Sequence, residues 1–220
     1  MVLIVIGIFI FLAGFVLKKQ PNSQSVQTGK LLYVLSPLLI LAGVLTSCFK
    51  TIDAGEVGVK TLFGKVNDNV LYSGLNFVNP LVEITEFDVK TQNYTMSAAQ
   101  EEGTIKGDDA IRVLTADGLE VVMDLSVLFN VRSADAPRIL KEIGTDYLDK
   151  IVRPVARTVI RDNAVSYDAV ALYSSKREEF QNVISTTIEK SFAKRGLQLQ
   201  QLLIRNITLP ASVKASIESK

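Results

Sequence analysis

The sequence predicts an α+β protein: an N-terminal transmembrane hairpin, then a twisted, antiparallel-rich sheet subdomain, then a helix-rich α/β subdomain. Three observations carry this. Two long charge-free runs stand at the front of a 220-residue chain. Apolar residues then alternate with the period of strands to about residue 132. Beyond that point the apolar spacing lengthens to that of helices.

Met1 to Leu17, "MVLIVIGIFIFLAGFVL", and Leu31 to Phe49, "LLYVLSPLLILAGVLTSCF", carry no charge. A bilayer-crossing helix needs roughly 20 apolar residues, with about 17 as the lower limit, so 1–17 and 31–49 each read as a span. Pro37 lies near the start of the second, where a helix tolerates it. The intervening loop, 18–30, is polar and holds Lys18, Lys19 and Lys30 without an acid. Positive loops favour the cytoplasmic side. Two spans then place the domain on the extracytoplasmic side of a bacterial cell membrane. "LTSC", ending at Cys48, offers another reading. Small residues and a cysteine after an apolar run resemble a lipoprotein signal, with cleavage before Cys48 and lipid on its thiol.

The sheet subdomain is expected over 50–132. In "GEVGVKTLFGKV" the residues Val57, Val59, Thr61 and Phe63 alternate as on a strand with one buried face, and Gly55, Gly58 and Gly64 mark turns or bulges. "YSGLNFVNP" (Tyr72 to Pro80) reads as a turn-rich connection. "VEITEFDVK" alternates through Val82, Ile84 and Glu86, then shifts phase to Phe87 and Val89. Ser97 to Asp109 is polar and reads as a solvated loop. Its acids Glu101, Glu102, Asp108 and Asp109 lack the alternating spacing of a calcium loop. After an Asp117-Gly118 turn, Leu119 to Val131 holds strict period two, which predicts a long strand.

The second subdomain is expected over 133–209. Asp135 is a cap candidate, Pro137 suits a first helical turn, and Gly144 ends that helix. The next helix places Leu148, Ile151, Val152, Val155 and Val159 on one face, with Pro154 as a kink or break. Ser175 and Glu178 form a capping-box pattern before a longer helix that Gly196 stops. Leu197 to Leu209 returns to strand alternation with an ambiguous register near Ile204. Pro210 opens a further helix over 210–220, read as the start of a longer, truncated one.

Composition excludes several functions. Histidine is absent and cysteine occurs once, which rules out His-based catalysis, His-ligated metal and an intrachain disulfide. After Phe49 the chain carries two more acids than bases, so nothing marks it for nucleic acid. No nucleophile elbow, Ser-x-x-Lys motif, Walker loop or dinucleotide fingerprint is present, and the chain is read as non-enzymatic, with no cofactor and no metal.

From Ile52 onward the sequence resembles the SPFH, or band 7, family of stomatin, prohibitin and flotillin, its prohibitin-like members above all. The resemblance rests on "GEVGVKTLFGKV", "SGLNFVNP", "FDVKTQNY", "LTADGLEVVMDLSVLFNV", "IVRPVARTVIRDNAVSYDAVALYSSKREEF" and "LLIRNITLPASVKASIESK", in that order. Lys90 stands where many relatives have arginine, and Asn76 where many have histidine. The resemblance implies an SPFH fold and a scaffold of many copies in a ring or cage. Such assemblies organise membrane lipids and enclose membrane proteins such as an AAA protease. The alternative function is a monomeric envelope lipoprotein that binds one partner or ligand. Two groups of site residues are expected. Leu75, Phe77 and Val78 would touch the bilayer. Arg153, Arg157 and Arg161, at four-residue spacing on one helix face, would meet carboxylates of a neighbouring copy, so charge reversal at Arg157 should weaken assembly.

Overall fold

The computed structural model describes residues 2–18, 23–99, 101–211 and 213–214. Two helices come first, α1 (Val2–Lys18) and α2 (Ser23–Ser47). They pack against each other through small residues. Gly7, Gly14, Ser36 and Gly43 are buried, and a Cβ on Gly7 would lie 2.6 Å from Ile40 Cγ1. Helix α2 begins at Ser23, inside the expected polar loop, and closes at Ser47. Among the described residues no helix is long and apolar enough to cross a membrane, α1 having 17 residues.

One residue, Cys48, separates α2 from the first strand. Strand β1 (Phe49–Ile52) pairs antiparallel with β4 (Gly74–Phe77). Thus a strand lies within the segment expected as a turn-rich connection. A second sheet has the order β3-β2-β5, with β2 (Glu56–Leu62), β3 (Lys65–Leu71) and β5 (Glu83–Asp88). Val57 and Val59 are buried as expected. Phe63 is not on that strand. With Gly64 it forms the two-residue turn between Leu62 and Lys65, and it is 87% exposed. Both turn residues have positive φ, 48° and 83°, and Gly64 supplies the glycine that such turns favour. A left-handed conformation is costly for a bulky aromatic. Phe63→Asn is therefore expected to raise stability by about 1 kcal/mol, read from the urea midpoint.

The third sheet is built on β8 (Glu120–Val131). Strands β6 (Gln92–Met96) and β7 (Ile111–Leu114) share one of its edges end to end, and β9 (Leu197–Thr208) takes the other. The alternation seen in the sequence is real: Val121, Met123, Leu125, Val127, Phe129 and Val131 are all buried. Strand β9 carries two register shifts, which accounts for its ambiguous pattern. The turn before β8 is held by Asp117. The Thr115 hydroxyl donates to its carboxylate at 2.5 Å, and the Ala169 N–H at 3.3 Å. These bonds hold the Asp117 carboxyl below the usual carboxylate range, the Thr115 bond most of all.

Helices α4 (Arg153–Ala164), α5 (Ala169–Tyr173) and α6 (Arg177–Ala193) pack against this sheet, and α3 (Ala136–Glu142) packs against β2 and β3 of the second. Asp135 is the N-cap of α3 but caps with no side-chain bond; it pairs with Arg132 and Arg138 instead. The Ser175–Glu178 capping box does not form. Helix α6 starts two residues after Ser175, and Lys176 at its N-cap pairs with Glu179. Gly144 and Gly196 follow α3 and α6 with φ of 96° and 84°, as helix stops require. The helix expected over 210–220 falls mostly outside the described residues. One continuous core joins the second sheet (Val57, Val59, Phe87), β8 and α6 (Phe180, Ile184, Ile188, Phe192). These sheets followed by helices make the α+β domain that the sequence predicts.

Candidate functional site

The first candidate surface lies where α2 enters the domain. The Cys48 carbonyl accepts the Val78 N–H at 2.8 Å, which ties the end of β4 to the end of the helix hairpin. The Cys48 thiol is buried and donates to the Val44 carbonyl at 3.3 Å. Across the β1–β4 ladder Phe49 faces Phe77 and Thr51 faces Leu75. The Phe49 and Phe77 rings meet edge to face at 5.5 Å. Residues two apart share a face of a strand, and Leu75 and Phe77 are both 70% exposed. The Asn76 amide donates to the Tyr72 and Gly74 carbonyls, which holds the approach to this strand. Val78 corrects the sequence reading. It is buried against Ile52 and Leu71, since the bond to Cys48 turns it inward. Leu81 and Phe63, which sequence reasoning did not place at a site, are exposed as well. The signal for Phe63 was its glycine neighbour, which makes a turn there.

The second candidate is the arginine row. A π-helical turn, Leu148–Val152, precedes α4. The break falls just before Pro154, whose nitrogen has no hydrogen to donate. Arg153 and Arg157 then reach back 44 and 48 residues to one carboxylate, that of Asp109. Arg153 Nη2 donates to Asp109 Oδ1 at 2.5 Å. Arg157 Nη2 donates to the same oxygen and to the Asp109 carbonyl, each at 2.6 Å. Asp109 is not the solvated loop acid that the sequence suggested. Its side chain is 4% exposed, because the two guanidinium groups replace its water. The Asp109 N–H donates to the Ser97 carbonyl, so the loop's two ends meet there.

Tyr94 is buried nearby. Burial pushes its phenol above its ordinary value, and the Asp109 charge adds to this. The bond to Asp109 in turn raises Arg153. Arg153 and Arg157 thus hold their own loop, and only Arg161 of the three is an exposed arginine. It lines an open cleft of about 300 Å³ with Arg112, Leu114, Glu120 and Val165. Leu114 and Val165 are more than half exposed there. This surface pairs an apolar floor with a guanidinium, which suits a partner carrying a carboxylate beside apolar groups.

Comparison with known proteins agrees with the architecture. A family model described as "SPFH domain / Band 7 family" matches residues 50–220. Prohibitin 1 of Gallus gallus is 24% identical over 185 residues, 83% of this chain and 63% of the relative. Prohibitin-4, mitochondrial, of Arabidopsis thaliana is 22% identical over 183 residues, 82% and 61% of the two chains. Prohibitin-1 of Saccharomyces cerevisiae is 23% identical over 205 residues, 88% and 64%. The chain therefore spans less than two thirds of the length of these relatives.

Proposed function

Because this chain belongs to the SPFH domain / Band 7 family, we propose that it is a membrane-anchored scaffold whose copies assemble into a ring or cage. Family membership suggests the scaffold role. The hairpin supplies the anchor, and one observation carries that reading: it is inside out for water. Small residues fill its seam, while Phe9 (70% exposed), Leu12, Phe15, Val16, Val34 and Leu38 point outward. Close packing through small residues with large apolar ones outside is how helices associate in lipid. Helix α1 rises only about 25 Å against a hydrocarbon core of about 30 Å. The two-span arrangement is thus proposed in a locally thinned bilayer.

The lysine-bearing segment 18–30 would stay in the cytoplasm of a bacterial cell, which puts the domain on the extracytoplasmic face. Leu75 and Phe77 would then rest against the headgroups. The partners are lipids, further copies and an enclosed membrane protein such as an AAA protease. The role needs no turnover of substrate. Arg161, with Leu114 and Val165, is the proposed contact between copies, in place of the full arginine row.

The test is particle mass by mass photometry, on the natural full-length protein in mild detergent, with intact-subunit mass spectrometry on the same sample. A very large, uniform particle supports the scaffold. A monomer or dimer sinks it and favours the envelope lipoprotein. A subunit that has lost residues 1 to 47 and gained lipid would prove cleavage at Cys48. Arg161→Glu is expected to shrink the particle without changing the circular dichroism, since Arg161 is exposed. An unchanged particle mass would remove Arg161 from the interface.

A further inference from the structure

We propose that the β2–β3 hairpin tip is a lipid wedge selective for anionic phospholipid, in which Phe63 enters the acyl region while Lys60 and Lys65 hold the headgroup phosphate. The proposal rests on the anchor reading, because it needs a bilayer at this end of the domain.

The turn presents Phe63 almost fully to solvent and in a left-handed backbone, φ 48°. In water that combination costs twice, once in strain and once in exposed ring. Insertion into lipid recovers the second. Leu62, next to it, is 38% exposed, and Lys65 lies directly across the ladder from Leu62. Lysines flanking an apolar tip can lay their stems along it and keep their ammonium groups among the headgroups.

A groove of about 500 Å³ opens beside the tip, lined by Lys60, Leu62, Lys65, Val66 and Val82 among others. The acid in its lining, Asp68, is paired with Lys141. Among the described residues Lys60 and Lys65 have no ion-pair partner. Glu83, opposite Thr61, and Glu86 line an adjoining groove with Lys50, which shares Val82 with this one. The groove beside the tip thus sets Leu62, Val66 and Val82 beside two cations without ion-pair partners and the amides of Asn67 and Asn69, a mixed lining that fits a phosphate joined to acyl chains.

Position supplies the occupant. Val82 in the groove lies four residues after Val78, and the Val78 N–H bonds to Cys48 at the end of α2. The tip is therefore continuous with the chain's connection to its anchor.

The chain contains no tryptophan, so the Phe63→Trp variant carries a single probe. The full chain is reconstituted into phosphatidylcholine vesicles, or into an equimolar mixture with phosphatidylglycerol, each containing brominated lipid. Flotation of the protein with the vesicles is checked first. The indole emission of Phe63→Trp is expected to be quenched in both, roughly twofold more strongly with phosphatidylglycerol. A Lys60→Glu, Lys65→Glu background should lose that increase. Unquenched emission from Phe63→Trp, in a chain that floats and whose Phe77→Trp counterpart is quenched, overturns the wedge and leaves the anchor standing. Equal quenching in both lipids overturns the anionic selectivity. A chain that fails to float overturns the anchor reading and the wedge with it. Circular dichroism confirms that each variant is folded.

Discussion

Asp109→Ala is expected to destabilise the domain by about 3 kcal/mol, among the largest losses available to a single loop substitution here. The carboxylate is 4% exposed and accepts from two arginines. Its removal leaves those guanidinium groups without a counter-charge, and the Arg157 Nε already lacks a hydrogen-bond partner among the described residues. Breaking a buried ion pair costs about 3–5 kcal/mol. The lower figure applies because the Arg153 and Arg157 side chains keep 35% and 23% of their exposure, and water screens what is left. Urea unfolding of the detergent-solubilised chain measures the loss, and a change below about 1 kcal/mol would mean that solvent already carries the cluster. A second comparison separates charge from packing. Asp109→Ala with Arg153→Met and Arg157→Met should recover much of the stability, because a buried ionic cluster can be replaced by apolar residues at little net cost.

The cluster also changes how interface mutations are read. Arg157→Glu would set a second carboxylate beside Asp109 and strain the fold. A lost assembly in that variant would not locate an interface. Arg161 makes the cleaner probe because its side chain is exposed and lines the cleft with Leu114 and Val165.

The arginine spacing was visible in the sequence, but the direction of each side chain was not. Four-residue spacing puts three residues on one helix face. It does not say that a carboxylate 44 residues earlier waits under two of them. Strand β8 was legible because 12 residues of unbroken alternation leave one interpretation. Strands β1, β4 and β7 have four residues each, too few for a period to stand out from a turn. Phe63 illustrates a different limit. Its apolar character extends the alternation of Val57 and Val59, yet Gly64 permits the chain to reverse there. Turn geometry outweighed the hydrophobic pattern, and the misplaced residue is the one the wedge needs.

Phe129→Ala is the second large effect, expected at about 3–5 kcal/mol. The side chain is fully buried at the middle of the third sheet, with Gln92 opposite it on β6 and Leu199 on β9. Its ring meets Phe192 of α6 edge to face at 6.1 Å and Tyr147 at 6.4 Å, and Tyr147 stacks on Phe87 of the second sheet. Three aromatic contacts therefore run from the helix layer to the second sheet. A domain of this size has only about 5–15 kcal/mol in reserve, so the cavity would remove a large share of it. It would also remove the ring contacts that link the helix layer to the second sheet through Tyr147. Hydrogen exchange distinguishes this from a uniform loss. Amides of β5 around Phe87 should lose more protection than those of β7, which pairs with the far end of β8, between Glu120 and Met123. Equal loss in both would show that the rings stabilise the fold without coupling its halves. The proposed scaffold would need that coupling, because an anchor can orient a distant contact surface only through a core that does not bend.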